Sequence, residues 1–234
     1  MGVPRSWNRG FTKYTHSSVM KISQTMKRRK IDNFATWRKK AKKEGRFKSH
    51  YPPLKRNGNL AELIGVILGD GYIGKFPRTE VLRIVGNYNN QGFIKRYASL
   101  IEKIFSKKPY VAKMSTANAM TITLYQKEIS GRLGIPHGSK KFLKVMVPQW
   151  IIDSRKYTIR YLRGLYEAEG SHCVHKKTCT YKLFFSNTNE SLLLVVFLLV
   201  KRLGYHPHLS KNKVQVSSKD EVQKLKNLIQ FRNY

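Results

Sequence analysis

Two short segments constrain this chain more than anything else in it. They are Leu63-Ile64-Gly65-Val66-Ile67-Leu68-Gly69-Asp70-Gly71 and Leu162-Arg163-Gly164-Leu165-Tyr166-Glu167-Ala168-Glu169-Gly170. Each has two small residues four apart, Gly65/Gly69 and Gly164/Ala168, then an acid, then a glycine. Residues i and i+4 share one helix face. A face without side chains lets two helix backbones approach closely. Glycine inside a helix costs about 1 kcal/mol relative to alanine, so contact geometry here outweighs propensity. The spacing predicts two helices packed along Gly65, Gly69, Gly164 and Ala168. Their C-terminal ends would then lie together, each followed by a glycine suited to the turn leaving a helix.

The surrounding sequence repeats in the same order. A β-rich stretch ending in Asn follows each helix, Val81–Asn87 and Lys182–Asn187. Helix-period segments come next, at 92–105 and 191–203. Lys-Lys-Pro (107–109) and His-Pro-His (206–208) open further β stretches. In each half a strand then passes into a helix with Lys127 or Lys219 at the junction. The acids are 169 − 70 = 99 positions apart, but the lysines only 219 − 127 = 92, which predicts a shorter turn in the second half. The fold class is therefore α+β, a duplicated αββαββα unit with pseudo-twofold symmetry. Its halves are expected at 59–150 and 151–234.

Residues 1–58 read differently, as a basic N-terminal arm. Few aliphatic residues stand among runs such as Lys27-Arg28-Arg29-Lys30. Helix is expected over 17–30 and 32–44, with Asp32 as N-cap. The pattern breaks at Tyr51-Pro52-Pro53 and Asn57-Gly58-Asn59. Over the whole chain, 46 Lys and Arg face 13 Asp and Glu, a formal charge of +33. Such a charge repels itself unless a polyanion neutralises it, and nucleic acid is the usual partner. A membrane is not expected, since no segment reads as a basic amphipathic helix and Leu192–Val200 is too short to span a bilayer. Cys173 and Cys179 make no disulfide scaffold, and the N-terminus lacks the apolar stretch of a signal peptide. An intracellular setting, cytoplasm or organelle matrix, is expected. The termini also lack the features of an intein, so the chain reads as free-standing.

Two carboxylates at the negative ends of two helix dipoles repel each other and invite a hard cation with oxygen ligands. Mg²⁺ is the natural choice, with Mn²⁺ as a substitute. Asp70 and Glu169 would ligate it, and the carbonyls of Gly69 and Ala168 could add ligands. Metals between two carboxylates are a device for phosphodiester hydrolysis. The bland alternative is a pair of buried helices with incidental acids. Two matches at corresponding places in a duplicated, strongly basic chain argue against it.

These segments resemble the LAGLIDADG motifs, and the resemblance covers about residues 59–234. It implies a monomer whose two curved antiparallel sheets form a saddle over the DNA major groove. The eighth motif position, here Asp70 and Glu169, would hold the metal. Glu167 at the sixth position of the second motif has no acidic counterpart, since Leu68 holds that position in the first, and it is assigned no metal. The family cleaves both strands of a double-stranded target across the minor groove. Some members assist splicing of intron RNA, and some relatives only bind DNA. Retention of both acids argues against the last reading.

Lys127 and Lys219 are expected near the inner ends of the sheets as basic helpers, with solvated or phosphate-binding lysine as the plain alternative. Asn87 and Asn187 suit caps or turns. Arg83, Lys113, His172, His175, Lys176, Lys182 and Lys211 are candidates for DNA contacts. His172, Cys173, His175 and Cys179 do not fit the usual zinc spacings. In the arm, Ser6-Trp7-Asn8-Arg9-Gly10-Phe11-Thr12-Lys13 resembles nuclease-associated modular DNA-binding motifs.

Overall fold

The computed structural model describes residues 7–45 and 50–234, and of Lys176 only the backbone. The chain divides into two units, one ending at Tyr51 and one spanning Pro52–Tyr234. The arm therefore ends some seven residues before the expected boundary at 58. Asn57 and Gly58 belong to the second unit, where Asn57 caps the first long helix and accepts from the Leu60 amide at 2.9 Å.

In the arm, α1 is Ser17–Arg28 and α2 is Ala35–Lys43. Asp32 is not the N-cap of α2. Phe34 holds that position, and Asp32 Oδ1 accepts from the Phe34 amide at 3.1 Å, so it makes the turn before the helix. No residue of α1 is buried, as its composition implies. The rings of Phe11 and His16 pack at 4.6 Å between centroids. Ser6 lies outside the described residues.

In the second unit the element order is the duplicated one. The first half runs α3 (Gly58–Asp70), β1 (Gly71–Lys75), β2 (Glu80–Asn87), α4 (Gln91–Phe105), β3 (Tyr110–Lys113), β4 (Ala119–Gln126) and α5 (Ile129–Leu133). A short α6 (Gln149–Ile152) leads to the second half. That half runs α7 (Arg155–Glu169), β5 (Gly170–His175), β6 (Thr180–Ser186), α8 (Glu190–Arg202), β7 (His208–Ser210), β8 (Lys213–Val216) and α9 (Lys219–Leu228). Each half forms a four-stranded antiparallel sheet, in the orders β1-β2-β4-β3 and β5-β6-β8-β7. The turn at 114–118 is matched by the shorter one at 211–212, and β8 is shorter than β4. These differences account for the reduced offset at Lys127 and Lys219.

Matching asparagines start the helices behind the sheets. Asn90 accepts from the Phe93 amide and Asn189 from the Leu192 amide. Asn87 and Asn187 make the preceding turns, accepting from the amides two residues on, both at 2.8 Å. In each sheet one face packs against the core. Ile73, Leu82 and Leu124 form one buried row, and Leu183 pairs with Val216 in another.

The centre of the unit is the contact between α3 and α7. Every residue from Leu60 to Leu68 is buried. A Cβ added at Gly65 would lie 2.3 Å from the Tyr161 carbonyl oxygen, and one at Gly164 would lie 2.1 Å from that of Glu62. The predicted glycine face is thus a backbone-to-backbone contact. Gly71 and Gly170 follow a different logic from the one expected. Both are extended, with φ of −83° and −85°, so neither needs left-handed freedom. A side chain there would strike the preceding turn instead, 2.5 Å from Ile67 Cα and 2.3 Å from the Tyr166 oxygen.

Candidate metal and nucleic-acid site

Because α3 and α7 run side by side, their last residues, Asp70 and Glu169, end in one place. A Cβ on Gly69 would fall 2.4 Å from Ala168 Cβ and 3.1 Å from Glu169 Cγ. Glu169 also accepts from Asn187 Nδ2 at 3.2 Å, which aims its carboxylate. The third member of the site is Lys140, from the segment between the halves. Its ammonium donates to the carbonyls of Leu68 at 3.0 Å and Gly69 at 2.8 Å, and also to that of Ile67. A cation thus stands at the negative end of the α3 dipole. The Lys140 backbone is held in turn by Asn189, whose Nδ2 donates to the carbonyls of Lys140 at 2.7 Å and Leu143 at 2.8 Å.

The electrostatics of these groups are coupled. Water reaches Asp70, yet the crowded helix ends and then the charge of Glu169 push its carboxyl up to about 7, against the pull of Lys140. Glu169 is raised by burial and lowered by Lys140 and Asn187. Burial brings Lys140 down to about 8, opposed by the two acids. Two carboxylates that resist ionising together suit a hard divalent cation completed by water. Among the described residues no group of three or more His, Cys, Asp or Glu could hold a metal, so a soft or all-protein site is not built here. The Gly69 carbonyl, expected as a metal ligand, is already engaged by Lys140. Ala168 lies at the helix contact, as expected.

Lys127 and Lys219 are not at this site. β1 leaves Asp70 at Gly71, and Lys127 sits beyond its other end, lining a cleft with Lys75 and Glu80. Four residues of strand separate Gly71 from Lys75, about 13 Å. Lys219 stands over the ring of Tyr181, which pairs with Val174, similarly far along β5 from Glu169. The lysines do match across the halves, but at the outer ends of the sheets. Lys140 was missed because nothing in the repeat marks it, as it lies in the connection between the two copies.

Register sorts the DNA candidates, since paired residues share a face. Tyr72, Arg83, Thr123 and Tyr110 form a row on the face opposite the buried one. Cys173 pairs with Lys182 and His175 with Thr180 on the corresponding face of the second sheet. Arg83, His175 and Lys182 thus lie on the face opposite the core, and Lys211 is exposed in the β7–β8 turn. His172 does not, because it pairs with Leu183 on the core face, where burial lowers its pKa. Lys113 pairs with Met120, which pairs with Gly86 against α4, and it stands 4.3 Å from the Tyr88 ring centroid. His172 and Lys113 therefore sit on the core-side faces of their sheets, Lys113 at an exposed strand end. The side chain of Lys176 lies outside the described residues. Glu167 has a structural task, accepting from the Arg232 amide at 2.7 Å and from the Tyr234 hydroxyl.

Paired small-residue helices, each ending in an acid and each leading into its own four-stranded sheet, define the LAGLIDADG fold. Residues 156–233 match the family described as LAGLIDADG-like domain. The chain shares its fold with the homing endonuclease I-DmoI. One I-DmoI structure, in complex with DNA and Mn, is 20% identical over 74% of this chain and 96% of that one, with a TM-score of 0.51. A variant of I-DmoI with its target DNA and Mg gives 20% identity, the same 74% and 96%, and a TM-score of 0.52. An uncharacterised protein of Methanocaldococcus jannaschii is 26% identical over 160 residues, 66% of this chain. The chain spans 58% of that relative's length. No helix among the described residues is long and apolar enough to cross a membrane.

Proposed function

We propose that this protein is a site-specific double-strand DNA endonuclease that uses a divalent cation, Mg²⁺ or Mn²⁺, and works as a monomer. The observation that carries this reading is the meeting of Asp70 and Glu169 at paired helix ends beside Lys140. The carboxylates of Asp70 and Glu169 would hold the metal, which supplies charge to the scissile phosphate and acidity to a bound water. Asn187 keeps Glu169 oriented. Lys140 places an ammonium next to the developing phosphate charge, with its pKa brought to about 8, close enough to neutrality to lend or accept a proton. The face bearing Tyr72, Arg83 and Lys182 would lie on the duplex, and the basic arm of residues 1–51 would lengthen the footprint. The I-DmoI structures with target DNA and divalent metal support the same assignment by likeness of fold.

A second reading rests on Lys140. One ammonium already offsets the paired acids, so a DNA-binding protein that does not cut could keep both carboxylates. Intron RNA is the alternative partner for the same basic surface. The deciding experiment offers a supercoiled library of sites with and without Mg²⁺ to the wild type, Asp70→Asn and Glu169→Gln. Linear product that requires Mg²⁺ and both acids supports the nuclease. Tight binding to a preferred site with no linear product under any condition overturns it.

A further inference from the structure

A basic cleft lies at the other end of the paired helices. Eleven residues of α3 separate Asn59 from Asp70, about 16 Å of helix. There a cleft of about 650 Å³ opens among Asn59, Lys95, Arg96, Ser99, Lys103 and Arg160, and among the described residues no acid lines it. Behind the lining residues Arg96 and Arg160 lies a buried ion cluster. Glu62, fully buried, accepts from Arg96 at 2.5 and 2.8 Å and pairs with Arg160 Nε at 2.6 Å. Arg163 stands 3.6 Å from Glu62 and 4.0 Å from Glu167. Three guanidiniums thus face two carboxylates, and Lys95 and Lys103 add positive charge at the rim.

The geometry preorganises this charge. Glu62 fixes the forks of Arg96 and Arg160, and Asn59 Oδ1 holds Arg160 Nη2 at 2.9 Å. The first turns of α3 and α4, at Asn59 and Gly92, also border the cleft, and helix N-termini favour anions. α4 packs behind the first sheet, so the cleft lies away from the exposed face that carries Arg83. A duplex on the sheet faces would leave it free.

We propose that this cleft binds the backbone phosphate of a nucleic-acid strand other than the duplex on the sheets. Fixed, planar guanidiniums suit phosphate oxygens, and the rim lysines suit its neighbours along the strand. The proposal goes beyond the paired-acid reading and needs no cleavage.

The test follows backbone amide signals of the full-length protein by NMR. Pyrophosphate, a twenty-residue oligouridylate and a single-stranded DNA of the same length are titrated separately, each against wild type and Lys95→Ala/Lys103→Ala. Both lysines are exposed, so the variant should fold. Expected are shifts at Gly92 and Ser99 with pyrophosphate and with at least one strand. The variant should bind that strand at least tenfold more weakly at this site, with the salt slope lowered by about 1.4 for two lost contacts. RNA and DNA arms distinguish the source of the strand. Shifts with pyrophosphate alone would make this a small-anion site and overturn the proposal. No shift at Gly92 and Ser99, or equal affinity in the variant, would overturn it as well.

Discussion

Lys140 donates to the Gly69 carbonyl at 2.8 Å, one residue before Asp70, so a lysine from the connection between the halves closes the end of the first motif helix. If it serves the reaction, its replacement should matter far more than that of the lysines matched by the repeat. Lys140→Met is expected to lower single-turnover cleavage by about 10²-fold or more. Lys127→Ala and Lys219→Ala should stay within a few fold. Comparable losses in all three would remove Lys140 from its assigned place.

The paired acids predict how metal-free stability responds to pH. Asp70 has a native pKa near 7, above its unfolded value, so the folded state holds more protons between about pH 4 and 7. This contribution is full below that window and is lost as pH rises through it. Lys140 runs the other way, since its value near 8 lies below the unfolded one and stability recovers between about 8 and 10.5. Melting temperatures in chelator should fall from pH 4 to 7, and Asp70→Asn should flatten that fall. Mg²⁺ should raise the melting temperature more above pH 7 than at pH 5, because both carboxylates must ionise to hold it. A flat profile unaffected by Mg²⁺ would speak against the paired site.

Gly65 and Gly164 each meet backbone across the helix contact, with carbonyl oxygens at 2.3 and 2.1 Å from an added Cβ. No side chain can move aside there. Gly164→Ala is expected to destabilise by about 3 kcal/mol or more, beyond the usual range for overpacking. Gly131→Ala has open space and sits in a helix, so it serves as the control and should be neutral or better. Urea denaturation of both variants measures the contrast.

Glu62 is the counter-charge for three arginines. Glu62→Ala should destabilise by about 3–5 kcal/mol, because Arg163 would stay buried and the half-buried Arg96 and Arg160 would lose their partner. The same measurement on Glu221→Ala, whose exposed partner is His206, should show less than about 1 kcal/mol.

The sequence showed what repeats and hid what does not. The duplicated order, the glycine contact and the convergence of Asp70 and Glu169 were all legible, because two copies state each of them twice. Strand bounds were also close, with β2 starting one residue before the expected stretch. Lys140 and Asn189 were invisible as site residues because their link spans 49 positions and has no counterpart in the repeat. Lys127 and Lys219 misled for the opposite reason: they match across the halves, but matching fixes symmetry and not proximity. The faces of His172 and Lys113 were not legible, since a one-residue step in a strand exchanges them. Of the two breaks in the arm's pattern, the division falls at Tyr51-Pro52, and Asn57, which reads as a turn former, acts as a helix cap.

The α3–α7 contact has a consequence for how the molecule comes into being. It joins residues about a hundred positions apart, whereas each sheet closes within its own half. Loop-closure entropy makes so distant a pairing slow relative to the local hairpins. Asp70 and Glu169 are therefore expected to meet only as the two halves dock, so if the pair holds a metal, its binding during refolding should appear late.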